Sequence, residues 1–207
     1  GPGGYVAAIR AAQLGARVTV IESHALGGVC LNWGCIPSKA LLSVVELGDK
    51  VKKAEDMGLL IQGSVTYDLA RMVARKNKVV ATLVNGIGTL FKTWNIERVQ
   101  GTGSLRDHRT VTVTASDGGV RDIQADAIVI ATGSSWPNLP QFPIDGQQFL
   151  TSQHLLDLEC IPASLLIVGG GVEGCEFAAL YSGLGTEVTI VELMPRVLPL
   201  EDEDISS

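Results

Sequence analysis

A glycine-rich turn between a strand-like and a helix-like segment constrains the fold of this 207-residue chain more than any other feature. The apolar residues 165–168 precede Gly-Gly-Gly-Val-Glu-Gly at 169–174, and apolar residues then recur at helical spacing through Leu184. A strand, a G-x-G-x-x-G turn and a helix in this order predict a dinucleotide-binding βαβ unit. The glycines allow a tight turn and the close approach of a pyrophosphate, which the helix N-terminus attracts. We expect Gly183 and Gly185 to end the helix.

The strand after this helix supplies an acid. Residues 187–191 are strand-like and end at Glu192, at about the 20-residue spacing that is expected for the acid on a ribose. A carboxylate there binds the ribose hydroxyls and repels a 2′-phosphate, which favours NAD over NADP. The cofactor-binding residues expected in this segment are Gly169, Gly171, Val172, Gly174 and Glu192.

The N-terminus carries half of the same pattern. Gly1 and Gly4 fit the second and third glycines of a fingerprint, a helix-like segment runs to Gly15, and the strand-like residues 17–22 end at an acid. The first glycine and its strand would lie before residue 1, so we expect the chain to be a fragment. The cofactor-binding residues expected here are Gly1, Gly3, Gly4 and Glu22.

Two cysteines lie five positions apart, at Cys30 and Cys35. Pro37 favours the first turn of a helix that continues beyond Lys39. In an ideal helix, residues i and i+5 have Cα atoms about 8 Å apart, whereas a disulfide requires roughly 4.4–6.8 Å. A bonded pair would therefore need a distorted segment, which Gly34 permits. A thiolate near the helix N-terminus would be stabilised there, and also by Lys39.

Two other interpretations of these cysteines are a zinc site and a pair of buried structural thiols. Zinc pairs usually have shorter spacings and need two further ligands, and Cys160 and Cys175 show no such pairing. We therefore expect no metal site.

The stretch Cys-Leu-Asn-Trp-Gly-Cys-Ile-Pro-Ser-Lys-Ala-Leu-Leu, at 30–42, resembles the redox-active disulfide of the FAD-dependent pyridine nucleotide-disulphide oxidoreductases. The resemblance implies an α/β fold with two Rossmann-like dinucleotide-binding domains and with FAD and NAD as cofactors. The FAD-binding domain is expected at 1–136 without its first strand. The NAD-binding domain is expected at 144–207, as its N-terminal part only, after a proline-rich link at 136–143.

The resemblance also implies roles for individual residues. Cys30 would be the outer thiol that exchanges with the substrate, and Cys35 would face the flavin. Lys39 would lie beside the flavin and form an ion pair across the domains with Glu176, on the helix of the second fingerprint. These four are the expected catalytic residues, and Cys30, Lys39 and Glu176 would also contact cofactor. Further FAD contacts are expected at Gly28, Gly103, Thr132, Gly133 and Ser134.

The residues flanking the two cysteines favour a member that oxidises dihydrolipoamide and reduces NAD⁺, over a mercuric or glutathione reductase. A flavin-binding subunit without disulfide turnover is the alternative from another class. The implied partners are a lipoyl domain of a 2-oxo acid dehydrogenase or glycine cleavage complex, and a second copy in a homodimer. The family's catalytic base is a histidine near the C-terminus. His24, His108 and His154 lie outside that motif, so the isolated fragment is expected to be inactive.

Composition excludes other classes of partner. The net charge is −6 without a basic run, so neither nucleic acid nor an anionic membrane is expected as a partner. No uninterrupted apolar stretch reaches the roughly 18 residues of a membrane-spanning helix. The expected location is the cytoplasm, or the mitochondrial matrix if the source is a eukaryote.

Three residues depart from the family pattern: Val29, Trp33 and Glu173. Val29 removes a hydroxyl near the flavin phosphates, and Trp33 stands between the cysteines where smaller residues are common. Glu173 places an acid inside the second fingerprint, and we expect it to weaken pyrophosphate binding.

Periodicity predicts the remaining elements. We expect a long amphipathic helix at 67–94, bent near Gly86 and Gly88, and a short helix at 151–158. Strands are expected at 98–100 and 110–114, with a turn at 117–119. The apolar run 127–131 is typical of a buried parallel strand.

Overall fold

A computed structural model describes residues 1–137 and 139–206. Asn138, in the predicted link, and Ser207, the last residue of the second predicted domain, lie outside the described residues. The chain divides into two compact units, Gly1–Ile36 with Val80–Pro137, and Pro37–Val79 with the described part of 138–207. Residues 37–79 thus pack with the C-terminal part of the chain, and the domain limits 1–136 and 144–207 stay a prediction.

Helices and strands alternate near both ends of the described chain, and consecutive helices followed by consecutive strands lie between. The helices are α1 (Pro2–Gln13), α2 (Gly28–Trp33), α3 (Cys35–Lys52), α4 (Leu69–Thr93), α5 (Ser152–Leu155), α6 (Val172–Leu184) and α7 (Glu203–Ser206), with a 3₁₀ turn at Glu55–Met57. The strands are β1 (Thr19–Glu22), β2 (Glu97–Gln100), β3 (Thr102–Leu105), β4 (Thr110–Thr114), β5 (Val120–Gln124), β6 (Ser164–Val168) and β7 (Glu187–Val191).

The first unit contains a parallel strand pair and an antiparallel sheet. Strand β1 pairs with β2, with Ile21 opposite Val99, and β3, β4 and β5 form an antiparallel sheet in chain order. Apolar side chains of α1, α2 and α4 pack together with the residues before α2 and β2, because each helix has one apolar face to bury. The buried members of this core are Ala8, Leu26, Leu31, Ile87, Phe91 and Ile96.

The second unit is built around a βαβ arrangement. Strands β6 and β7 pair in parallel, with Leu166 opposite Thr189, and α6 connects them, as parallel neighbours require a crossover. Helix α6 packs its buried side chains against those of α3, α4 and α5. The buried members of this core are Leu41, Val45, Leu69, Met72, Leu155, Leu156, Phe177, Leu180, Tyr181 and Leu184.

Two polar side chains fasten α5 within the second unit. Tyr181 Oη donates a hydrogen bond to the Leu155 carbonyl, and burial raises the pKa of Tyr181, which keeps the hydroxyl protonated. Lys76 Nζ, on α4, donates to the Leu156 carbonyl at 2.9 Å and pairs with Asp157. Two successive carbonyls at the end of α5 are therefore satisfied from other helices.

Two expectations are wrong. Residues 127–131 form no strand, and Val129 and Ile130 are 72% and 69% exposed; a parallel strand needs a hydrogen-bonding neighbour, and none of the described strands pairs with this run. Gly183 does not end α6, because it lies inside the helix, where a Cβ would stand 2.1 Å from Val45 Cγ1 on α3. Gly185 does end it, in the left-handed conformation.

One described segment, Gly28–Lys52, is apolar and long enough to cross a membrane by length and composition. This is weak evidence, because core helices of soluble proteins pass the same test. The break at Gly34 also divides the segment into α2 and α3.

Candidate active site

The two cysteines of the 30–42 stretch are bonded to each other. Cys30 lies in α2, Cys35 begins α3, and their Cα atoms are 4.7 Å apart. Gly34 lies between the helices with φ −138° and ψ −114°, outside helical geometry. The chain direction therefore changes at Gly34, and this change brings two Cα atoms together that a straight helix would separate by about 8 Å. The expected distortion at Gly34 is confirmed.

The turn before α2 is fixed by a side-chain amide and by glycine. Asn32 Nδ2 donates to the carbonyls of Leu26 and Gly28 at 3.0 and 2.9 Å. Gly28 has φ +63° and lies so close to Gly1 that a Cβ would stand 2.3 Å from the Gly1 Cα atom. The helix that carries Cys30 therefore begins directly against the first glycine turn.

A cleft of about 1490 Å³ opens in the first unit. Five of the expected cofactor-binding residues line it, namely Gly1, Gly4, Glu22, Gly103 and Thr132. A Cβ at Gly4 would contact Ala131 Cβ at 3.5 Å, so the turn before Thr132 lies next to the N-terminal glycines. Gly3, Gly133 and Ser134 are exposed and lie outside this lining. The cleft thus joins residues from both ends of the first unit.

Some residues around the cleft gave no signal in the sequence. Arg17 and Arg109 also line it, and Arg109 Nη2 is 2.7 Å from Asp126 Oδ1. Glu22 Oε1 accepts a hydrogen bond from the His24 amide at 2.9 Å. An isolated arginine in a strand or turn has no characteristic spacing, so only the fold reveals that it borders the cleft.

The expected ion pair between Lys39 and Glu176 is present, but both residues lie in the second compact unit, so the pair does not join the two units. Lys39 Nζ, on α3, donates to Glu176 Oε1, on α6. The two side chains are 56% and 27% exposed, and an ion pair with this exposure contributes little to stability, about 0–1 kcal/mol. Its consequence is positional, because it fixes where the ammonium group of Lys39 lies.

The second glycine turn has the geometry that its sequence predicts. Gly169 has φ +109°, and a Cβ on Gly174 would stand 2.1 Å from the Gly169 carbonyl oxygen. Gly171 caps α6, and Val172 is the first residue of that helix. Only glycine therefore fits at Gly174, where the helix passes over the turn.

Glu192 lies just after β7 and faces this turn. Its Oε2 accepts the Gly170 amide at 2.6 Å, and its Oε1 accepts the Met194 amide at 2.8 Å. These backbone hydrogen bonds, that of Met194 first and that of Gly170 next, lower the pKa of Glu192 below its usual value. The acid is therefore charged and held at the mouth of the glycine turn.

The carbonyl oxygen of Gly170, whose amide donates to Glu192, accepts hydrogen bonds as well. The Leu198 amide donates to the Gly170 carbonyl at 2.7 Å, and Cys175 Sγ lies 3.4 Å from the same oxygen. Leu198 has φ +51°, an unfavourable value for a branched side chain. The N–H and the C=O group of Gly170 are therefore both hydrogen-bonded.

A bonded cysteine pair beside one glycine-turn cleft, together with a second glycine turn that faces an acid, defines a dinucleotide-dependent disulfide oxidoreductase. A comparison with protein families agrees, because the family described as pyridine nucleotide-disulphide oxidoreductase matches residues 1–207. The chain belongs to this family.

Relatives and solved structures give the finer comparison. The chain is 45% identical to dihydrolipoyl dehydrogenase of Bacillus subtilis, with all of the chain and 45% of the relative covered. It is 43% identical to the mitochondrial dihydrolipoyl dehydrogenase of Dictyostelium discoideum, of which it covers 42%. LpdA from Mycobacterium tuberculosis has a similar structure, with a TM-score of 0.90, 33% identity, and coverage of 99% of this chain and 45% of that one.

A second structural relative is named a disulfide reductase. The HOCl-induced flavoprotein disulfide reductase RclA from Escherichia coli has a TM-score of 0.79 and 31% identity, with 99% of this chain and 43% of that one covered. The chain therefore spans less than half the length of each of these four relatives.

Proposed function

We propose that the full-length protein is a dihydrolipoyl dehydrogenase, which oxidises dihydrolipoamide through Cys30 and Cys35 and reduces NAD⁺. The observation that carries this proposal is the Cys30–Cys35 bond at a helix break beside the glycine-turn cleft. The names of the relatives support the substrate, since dihydrolipoyl dehydrogenases match all of the chain at 45% and 43% identity.

The residues of the two glycine turns fit the two cofactors of this family. The cleft of about 1490 Å³ exceeds the roughly 300–1,000 Å³ of drug-sized ligand pockets, and a Cβ at Gly28 would collide with Gly1 at its edge. Gly1, Gly4, Glu22, Gly103 and Thr132 would hold FAD there. The second turn and Glu192 would hold NAD. FAD, when bound, supplies the two-electron relay between the cysteines and the nicotinamide.

The cysteines perform the exchange with the substrate. A thiolate of dihydrolipoamide attacks Cys30 Sγ, the Cys30–Cys35 bond breaks, and Cys35 leaves as a thiolate. The second substrate thiol then attacks the mixed disulfide, which releases the oxidised dithiolane and leaves Cys30 reduced. Two electrons move from the substrate to the cysteine pair, and the two substrate protons are released or bound by the cysteines.

The position of Cys35 stabilises its thiolate. Cys35 is the first residue of α3, where the helix dipole is positive, and Lys39 follows one turn later in the same helix. The pairing of Lys39 with Glu176 holds the ammonium group in place. We assign Lys39 and Glu176 to the positioning of this charge.

The partners and location follow from this function. We propose that the partner is a lipoyl domain of a 2-oxo acid dehydrogenase or glycine cleavage complex, and that the full-length protein is a homodimer. One of the relatives is named as mitochondrial. The proposed location is the bacterial cytoplasm or the mitochondrial matrix.

The test is an anaerobic titration of the full-length protein with dihydrolipoamide. A long-wavelength charge-transfer band between thiolate and flavin should appear at two-electron reduction, and NAD⁺ should be reduced in turnover. Cys30→Ser and Cys35→Ser should each abolish turnover, whereas Cys160→Ser, at an exposed free cysteine, should not.

Two outcomes would contradict the proposal. Turnover of glutathione disulfide or Hg²⁺ without turnover of dihydrolipoamide would indicate a different reductase, a reading that the likeness to RclA keeps open. Binding of flavin without any reduction of the cysteine pair would indicate a binding subunit.

A further inference from the structure

Trp33, which the sequence places between the two cysteines, has an aromatic partner outside the cysteine stretch. Its ring meets that of His24 edge to face, with the centroids 6.2 Å apart and the planes at 81°. Aromatic pairs prefer this arrangement, and such contacts typically change an equilibrium constant by about twofold to tenfold. Trp33 is also the last residue of α2, next to the break at Gly34.

The backbone of His24 is held in place. Its amide donates to Glu22 Oε1 at 2.9 Å, and its carbonyl accepts from Gln100 Nε2 at 3.2 Å and from Arg98 Nη2 at 3.3 Å. Gln100 Nε2 also donates to the Ser23 carbonyl at 2.8 Å. The residues after β1 are thus hydrogen-bonded to β2. The backbone that carries the His24 ring is therefore held in place next to Trp33.

Trp33 therefore anchors one end of the helix that carries Cys30, and Asn32 anchors the turn at the other end. When the disulfide is reduced, no covalent bond holds Cys30 near Cys35. The separation of the two sulfurs then depends on how firmly α2 is held relative to Gly34 and Cys35.

We propose that Trp33 and His24 are positioning residues that hold α2 in the dithiol state and thereby keep Cys30 close to Cys35. A dithiol that is already in place closes more readily, so the contact favours the disulfide. This inference rests on the proposed function only in requiring that Cys30 and Cys35 undergo reversible oxidation and reduction.

The test measures the disulfide–dithiol equilibrium of the full-length flavoprotein. Under anaerobic conditions the protein is equilibrated with reduced and oxidised dithiothreitol, and the thiols of Cys30 and Cys35 are counted by alkylation in addition to the free thiols of Cys160 and Cys175. Each reduction of the protein disulfide oxidises one dithiothreitol to its cyclic disulfide, so two electrons and two protons are exchanged. The variants are Trp33→Leu, His24→Gln and the double variant. Trp94→Leu and His108→Gln, away from this contact, are the matched controls.

We expect Trp33→Leu and His24→Gln each to shift the equilibrium towards the dithiol by about threefold to tenfold, up to about 30 mV for a two-electron couple. The double variant should shift it no further than the larger single effect, because both changes remove one contact. Trp33→Phe should restore part of the shift, and the controls should leave the constant unchanged. Retained flavin content identifies the folded variants.

Two results would overturn the inference. One is an equilibrium constant in His24→Gln equal to that of the parent protein, and the other is a double variant whose shift is the sum of two independent effects. A parent protein whose Cys30–Cys35 bond resists reduction would instead contradict the proposed function.

Discussion

Glu192 illustrates how much one carboxylate can do at a glycine turn. Its two oxygens accept the amides of Gly170 and Met194, so it organises the turn, and in the proposed function it also offers a charge to a ribose. A glutamine at this position would retain one acceptor oxygen but would direct an NH₂ group at a backbone donor.

The stability of the protein should therefore depend on the ionisation of Glu192. The pKa of Glu192 is lowered in the folded state, so its contribution is complete above the unfolded pKa and is lost as the pH falls through the folded pKa. We expect Glu192→Gln to be less stable than the parent at neutral pH, and the difference to vanish in acid. Denaturant unfolding at several pH values measures this.

Glu187→Gln, at the exposed start of β7, is the control and should not show this pH dependence. A constant difference between Glu192→Gln and the parent from neutral to acidic pH would contradict the role of the charge.

We expect Glu173 to oppose nucleotide binding at the same turn. It is exposed in the first turn of α6. Its negative charge interacts favourably with the helix dipole there but would repel a pyrophosphate. We expect Glu173→Ile to tighten NAD⁺ binding about fivefold, the effect of about 1 kcal/mol of repulsion, and to lower helix stability by about 0.3–1 kcal/mol. Equilibrium titration of the full-length protein measures the affinity, and looser binding would contradict the prediction. Glu173→Gln removes the charge and keeps nearly the same side-chain shape, so it shows whether the charge alone changes the affinity for NAD⁺.

Helices α3 and α6 are joined by the Lys39–Glu176 ion pair and by the close contact at Gly183. Because Lys39 and Glu176 are partly exposed, we expect Lys39→Met to change the free energy of unfolding by no more than about 1 kcal/mol. Its rate of flavin reduction by dihydrolipoamide should nevertheless fall at least tenfold, since the charge near Cys35 is lost. Rapid-reaction absorbance measures that rate.

Lys52→Met is the matched control, because Lys52 pairs with Asp49 near the end of the same helix. It should leave the rate of flavin reduction unchanged. Equal rates in Lys39→Met and the parent protein would remove Lys39 from the mechanism.

The packing of α3 against α6 depends on Gly183. A Cβ there would stand 2.1 Å from Val45 Cγ1, which is part of a buried side chain. We expect Gly183→Ala to destabilise the protein by about 1–3 kcal/mol, the usual cost of overpacking. Gly86→Ala in α4, where a Cβ meets nothing within 4 Å, should instead be neutral or stabilising by up to about 1 kcal/mol. Denaturant unfolding distinguishes these outcomes, and equal effects would contradict the packing argument.

The sequence predicts most elements because their periodicity is local. The N-terminal helix, the long amphipathic helix, the strand that ends at Glu22 and the strand that Glu192 follows are confirmed. The prediction of a strand at 127–131 is wrong because strand formation depends on a neighbouring strand, which composition does not reveal. The position of Gly183 is also tertiary, since a glycine near a helix end fits either a stop or a close contact.

In the candidate site, too, the sequence predicts some contacts and misses others. The Cys30–Cys35 bond and the Lys39–Glu176 pair are predictable because each residue matches a position of a family motif, and both are confirmed. Trp33 with His24, the hydrogen bonds of Asn32, and Arg109 beside the cleft have no such pattern. They result from where β1, α2 and the antiparallel sheet lie within the first unit.

Each of the two glycine turns belongs to its own compact unit. The N-terminal turn and its cleft lie in the first unit, and the turn at 169–174 lies in the second. Each unit also has its own apolar core. Two nucleotides that bind these turns should therefore protect different parts of the chain from amide hydrogen exchange.

We expect FAD to slow exchange in the full-length protein mainly within Gly1–Ile36 and Val80–Pro137, and NAD⁺ to slow it mainly at 164–192, because a bound ligand lowers the population of open states. Glu22→Gln should reduce only the FAD effect, and Glu192→Gln only the NAD⁺ effect. If both nucleotides protected the same segment, or if either variant abolished both effects, the assignment of one cofactor to each turn would be wrong.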